Sequence, residues 1–131
     1  MTFMLDTDTV SLILRDEGET ATHFRATPRH ETCLSSLTLG ELRRGVALRQ
    51  SRRLAALVDT FVSAIRIASF DAEAAGRFGT LAASLSRRGV PIGVFDTLIA
   101  AHALAIGTVI VTHNRRHFDR VDGLEVVDWH G

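Results

Sequence analysis

The chain contains no lysine and no tyrosine, a single asparagine (Asn114) and a single cysteine (Cys33). Without lysine, every mechanism that needs a lysine side chain is excluded. One cysteine excludes an internal disulfide and a thiolate-rich zinc site. Cys33 sits in the apolar run Thr32-Cys33-Leu34-Ser35, which predicts a buried, unreactive thiol rather than a nucleophile. All 15 basic side chains other than histidine are arginine, balanced by 15 acids to a formal charge of zero. No global basic field therefore advertises a nucleic-acid partner. The first residues, Met1-Thr2-Phe3-Met4-Leu5-Asp6, have neither the basic flank nor the long apolar core of a secretion signal. The longest apolar stretch, Leu98 to Val111, is broken by His102, Gly107 and Thr108 and falls short of the roughly 20 apolar residues that span a bilayer. The expectation is a cytoplasmic protein.

What is present is a chain of 131 residues, nearly half of them apolar. That length can bury a core without covalent staples. No repeat, low-complexity tract or linker divides it, so residues 1–131 are expected to form a single domain. Phe3-Met4-Leu5 reads as a buried strand, and Val10, Leu12, Ile13 and Leu14 as a helix closed near Gly18. A short helix over 20–27 stops before Pro28, and Thr32 to Ser36 is a second buried strand. A helix is predicted from Thr38, another over 51–64, a strand over 65–70, and a long helix capped by Asp71 and ending near Arg88. Val94 to Ile106 is an apolar helix closed by Gly107, followed by a β-branched strand at 108–112 and a last strand over 124–129. Strands alternating with helices predict a parallel sheet covered on both faces. Ligands of such sheets gather beyond the carboxyl ends of the strands, which singles out Asp6, Ser35/Ser36 and Thr112 to Asn114.

Asp6-Thr7-Asp8-Thr9 places two carboxylates and two hydroxyls directly after the first strand. Helix capping explains one aspartate and leaves the other over. Glu41 matches a capping box, Thr38-Leu39-Gly40-Glu41, which on spacing alone accounts for it; its position after the second strand argues for the same sheet edge as Asp6. Asp96 interrupts the otherwise apolar Ile92-Gly93-Val94-Phe95-Asp96-Thr97-Leu98-Ile99-Ala100-Ala101. A carboxylate in a helix that is apolar all round needs a cap role, a partner or a metal. Three acids at one end of one sheet repel one another and call for a cation. With only oxygen ligands that cation is Mg²⁺ or Mn²⁺ rather than zinc, and its chemistry is hydrolysis of a phosphate ester.

The segments Met4-Leu5-Asp6-Thr7-Asp8-Thr9-Val10-Ser11, Ser35-Ser36-Leu37-Thr38-Leu39-Gly40-Glu41-Leu42, Ile92 through Ala103, Ile110-Val111-Thr112-His113-Asn114-Arg115-Arg116-His117-Phe118 and Val121 through Trp129 resemble, in order and spacing, the PIN-domain family, and within it the VapC toxins of toxin–antitoxin pairs. The resemblance implies a PIN-like α/β/α sandwich with a mainly parallel central sheet. It implies a Mg²⁺- or Mn²⁺-dependent endoribonuclease acting on RNA, with tRNA or rRNA as targets. Asp6, Glu41 and Asp96 match its catalytic, metal-holding acids. It also implies a homodimer neutralised by a VapB-like antitoxin, in a complex that binds operator DNA through the antitoxin. Asp8 stands where VapC chains usually carry Asn, and Asn114 where many PIN domains carry a fourth Asp. The fourth position falls to Asn114, to Asp119 or to nothing, with Asp8 and Thr112 as further neighbours.

Two other readings compete. Asp6-Thr7-Asp8-Thr9 fits the nucleophile motif of haloacid-dehalogenase-like phosphatases, but those usually need a later lysine. A non-catalytic PIN-type binding module has no evident use for three acids. Arg43, Arg44, Arg49, Arg52 and Arg53 cluster in sequence as a solvated helix face does. Arg115 and Arg116 are expected to border the acidic pocket and contact RNA phosphates. His113 and His117, without a third ligand, are expected at the surface or behind the ligands rather than in a zinc site.

Overall fold

In the computed structural model, which describes residues 1–131, five strands form one all-parallel sheet in the order β3-β2-β1-β4-β5. The elements run β1 (Phe3–Leu5), α1 (Thr7–Arg15), α2 (Thr20–Ala26), β2 (Thr32–Ser35), α3 (Ser36–Arg49), α4 (Arg52–Ser63), β3 (Arg66–Ala68), α5 (Ala72–Arg87), α6 (Val94–Ile106), β4 (Val109–Val111), α7 (Arg115–Phe118) and β5 (Val126–Val127). The chain builds outward from β1 through β2 to β3, then crosses back to lay β4 on the other side of β1. That reversal is the switch point at which an open α/β sheet leaves a crevice.

Successive strand residues point to opposite faces, and each central strand contributes one side chain to each of two cores. Met4, Cys33 and Ile110 pack with Leu85 of α5, Ile99, Ala100 and Ala103 of α6 and Phe118 of α7. Leu5, Leu34 and Val111 pack with Val10 of α1, Leu42 of α3, and Val58 and Phe61 of α4. The result is the expected three-layer sandwich. Cys33 is fully buried, and burial pushes its thiol pKa up, as an unreactive core cysteine requires.

Local chemistry sets most of the boundaries. Asp71 caps α5 by accepting the Ala74 N–H at 3.0 Å. Gly107 closes α6 in the left-handed conformation, at φ 70°. α1 ends earlier than Gly18, at Arg15, with Asp16 taking the left-handed position. One expected start is corrected. α3 begins at Ser36, not Thr38, because Ser35 Oγ accepts the Leu37 N–H at 3.1 Å; Glu41 therefore lies in the second turn and closes no capping box. α6 starts at Val94, as expected, behind Gly93 at φ 91°; Asp96 therefore lies inside the first turn, and the cap role the sequence left open to it is not taken. The last strand is shorter than expected, only Val126–Val127.

Candidate active site

The three acids singled out in the sequence come together. Asp6, Asp8, Glu41 and Asp96 line one pocket of about 200 Å³ with Thr7, Phe95 and Ile99. It lies at the carboxyl end of β1, beside the crossing to β4, and no cationic side chain lines it.

Asp6 follows β1 directly and caps α1, its Oδ1 accepting the Thr9 N–H at 2.8 Å. The capping role is real but engages one oxygen. The carboxylate is only 8% exposed. Burial raises its pKa to about 6, against hydrogen bonds from Thr112 and Thr9 that lower it, with Asp8 adding a small upward push. Thr112 is wholly buried; its Oγ1 also accepts the Asn114 N–H at 2.9 Å. It thus links Asp6 to the turn after β4.

Asp96 is half-buried, and its Oδ2 lies 2.8 Å from Nδ1 of His117 on α7. The Asn114 amide approaches the same ring nitrogen at 3.1 Å. His117 therefore stands behind Asp96, while His113 turns elsewhere, to Asp128 at 2.9 Å. Sequence spacing left both histidines without partners; the partner of His117 is 21 positions away, and only the packing of α7 on α6 reveals it.

The remaining expectations divide. Asp8 lines the acidic pocket and also a neighbouring one that holds Asn114. Asp119 does not line the pocket: it ends α7, exposed, with Oδ1 3.6 Å from Arg115 Nη2. Arg115 and Arg116, expected at the pocket's border, are exposed on α7 and do not line it.

No three carboxylate, imidazole or thiolate side chains converge tightly enough to cage an ion by themselves. That arrangement suits Mg²⁺, which is usually held by one or two carboxylates and completes its shell with water and substrate phosphate. It does not suit a closed zinc site. The donors are all oxygen, the pocket has no internal counter-charge, and Thr7 Oγ1 in its wall is buried with no hydrogen-bond partner. The residues fit a hard divalent cation.

The sequence matches the PIN domain over residues 3–124. The chain belongs to the PIN-domain family. Within that family it is 39% identical to the tRNA(fMet)-specific endonuclease VapC of Salmonella typhimurium, the alignment covering 97% of each chain. It is 33% identical to ribonuclease VapC2 of Haemophilus influenzae, again over 97% of each. Among solved structures, the DNA-bound VapBC complex of S. typhimurium superposes with a TM-score of 0.88 at 35% identity, covering 98% of both chains. VapBC2 of Rickettsia felis bound to a promoter fragment gives 0.87 at 30% identity, covering 98% of this chain and 99% of that one. Both superpositions agree with the sandwich and sheet order described above.

Proposed function

We propose that this chain is the ribonuclease toxin of a toxin–antitoxin pair, cleaving RNA phosphodiester bonds with Mg²⁺ or Mn²⁺ and silenced by a VapB-like antitoxin. The observation that carries this reading is the pocket at the switch point of a PIN fold, lined by four carboxylates and no cation. The names of the relatives, ribonuclease VapC and VapBC complex, support the reaction class and the partner. The name of the S. typhimurium relative supports tRNA as the substrate class. No helix is long and apolar enough to cross a membrane; the proposed substrate, tRNA, sets the place of action as the cytoplasm.

Asp6, Glu41 and Asp96 would hold the cation between them, directly or through its water shell, with Asp8 adding negative charge beside them. When bound, such an ion supplies positive charge to the phosphate under attack and makes water a better nucleophile at neutral pH. The protein's part is positional. Thr9 and Thr112 fix Asp6, and His117 fixes Asp96 through Nδ1. Phe95 and Ile99 in the pocket wall keep the acids partly shielded from water, which strengthens every charge interaction inside.

The test is cleavage of RNA by the purified protein with Mg²⁺, Mn²⁺ or chelator. Cleavage should require the metal, and Asp96→Asn should abolish it with the circular dichroism spectrum unchanged. Metal-independent cleavage, or full activity in that variant, would overturn the reading. The phosphatase alternative makes the opposite prediction, turnover of small phosphate esters without RNA cleavage. A pure binding module would take up RNA or antitoxin and cut nothing.

A further inference from the structure

A pocket lined by four carboxylates repels the phosphodiester it is meant to cut, so something beside it must draw the RNA backbone in. The neighbouring cavity has that chemistry. About 240 Å³ in size, it opens between α1, α3 and α4 and shares Thr7 and Glu41 with the acidic pocket. Three guanidinium groups line it, Arg15 of α1 and Arg44 and Arg49 of α3. Arg44 and Arg49 are exposed, whereas Arg43 on the same helix is engaged by Asp59 of α4. Arg15 is held through Nε by Glu17 at 2.9 Å, which leaves its terminal nitrogens free to donate. The other wall is aliphatic, with Leu14, Leu54 and Val58.

Gly45, in the interior of α3, is part of the same wall. Glycine inside a helix costs about 1 kcal/mol against alanine. Here a Cβ would meet nothing within 4 Å, so no packing constraint demands the glycine. Its effect is to leave the cavity open.

We propose that this groove is a nucleotide subsite for the RNA residue flanking the scissile phosphate. Its phosphate is taken by Arg15, Arg44 and Arg49, and its base lies against the aliphatic wall beside Gly45. The inference rests on the ribonuclease reading of the acidic pocket and gives its substrate a path. The groove is smaller than the roughly 300–1,000 Å³ of sites that enclose a whole small ligand, as befits one unit of a polymer. Arginine donates in pairs to phosphate oxygens, and an apolar aliphatic wall can bury one face of a base through van der Waals contact, which does not depend on which base it is. The shared residues, Thr7 and Glu41, put the groove one step along the strand from the acids. Arg115 and Arg116, outside the pocket on α7, are not part of this path.

The experiment measures binding of a short fluorescent single-stranded RNA of mixed sequence, in the cleavage-silent Asp96→Asn background. The double variant Arg44→Ala/Arg49→Ala and the single variant Gly45→Leu are compared with that parent. Each should weaken binding about tenfold, and the double variant should also flatten the dependence of log K on log salt by about 0.7 for each lost phosphate contact. Gly45→Leu acts only by filling the groove, and since leucine is the better helix former its melting temperature should not fall. Unchanged RNA affinity in both variants overturns the proposal. So does a loss confined to the double-arginine variant, which would reveal diffuse charge attraction rather than a subsite. Normal RNA binding with lost capture by the cognate antitoxin assigns the groove to the protein partner and also overturns it. Metal-supplemented wild-type protein that cuts no RNA refutes the ribonuclease reading; RNA binding by the variants is scored independently of that result.

Discussion

Asp96 and His117 are joined through Oδ2 and Nδ1 at 2.8 Å, and this bond ties the first turn of α6 to the short helix α7. With Asp96 ionised, Nδ1 carries the proton and donates it. The Asn114 amide then presents its oxygen, not its nitrogen, to the same N–H, since a proton-bearing Nδ1 accepts nothing. A carboxylate held by a side chain from another element loses rotamer freedom before any cation arrives. Groups standing behind metal ligands in this way are commonly worth 10–100-fold in metal affinity or activity.

The bond makes a prediction specific to one ring nitrogen. His117→Ala should weaken Mn²⁺ binding, measured by calorimetry, by about tenfold or more and lower kcat/KM in parallel. His117→Asn places an amide N–H near the former Nδ1 and should recover most of the loss. His117→Gln places its amide near Nε2 and should not. Equal recovery by both amides would show that volume, not the directed hydrogen bond, matters.

Glu41 and Ser35 exchange the roles that spacing suggests. Ser35 Oγ accepts the Leu37 N–H, and its hydroxyl faces Nδ1 of the fully buried His102 at 2.8 Å. Ser35→Ala removes a cap and leaves a buried acceptor unpaired, together about 2–4 kcal/mol in urea unfolding. Thr38, which a capping box would require, is buried with its Oγ1 unpartnered. Thr38→Val should cost nothing in stability, whereas loss of a true cap would cost about 1 kcal/mol. Glu41→Gln should shift stability by less than about 0.5 kcal/mol yet lower RNA cleavage sharply.

These corrections show what the sequence can and cannot carry. The two-faced sheet was legible because Met4-Leu5, Cys33-Leu34 and Ile110-Val111 belong to unbroken apolar runs set between helices, and a strand apolar at successive positions must fill a core on each face. The Asp71 cap and the Gly107 stop were legible because each acts within one turn. The start of α3 was not. Ser35, Ser36 and Thr38 can all cap, and the strand end that decides among them is fixed by His102, 67 positions away. Asp96 was legible as an anomaly, but not its tether to His117. The arginines of α3 looked like an ordinary solvated face; only the packing of α1 and α4 against that helix gathers Arg15, Arg44 and Arg49 around one cavity.

The buried charge at Asp6 gives the last prediction its sign. Burial lifts the folded pKa to about 6, above the unfolded value near 3.8. The stability this group contributes is fully present below the unfolded pKa and is lost as pH rises through about 6. At pH 8 the metal-free protein therefore carries a penalty on the order of 2–3 kcal/mol. Asp6→Asn keeps the cap, since asparagine caps as well as aspartate, and removes the charge. The metal-free variant should be more stable than the wild type at pH 8 by about that amount, and the gap should close toward pH 4. His102 acts in the opposite sense: burial lowers its pKa, so its contribution is lost as pH falls below about 6.5. The two oppose each other across the same window in the wild type, and the variant should lose stability more steeply in acid. Mn²⁺ should restore stability at pH 8 to the wild type alone, because only there does a cation relieve a buried charge. A variant less stable than the metal-free wild type at pH 8 would mean that the Thr9 and Thr112 hydrogen bonds outweigh burial, and that Asp6 is held ionised by the fold itself.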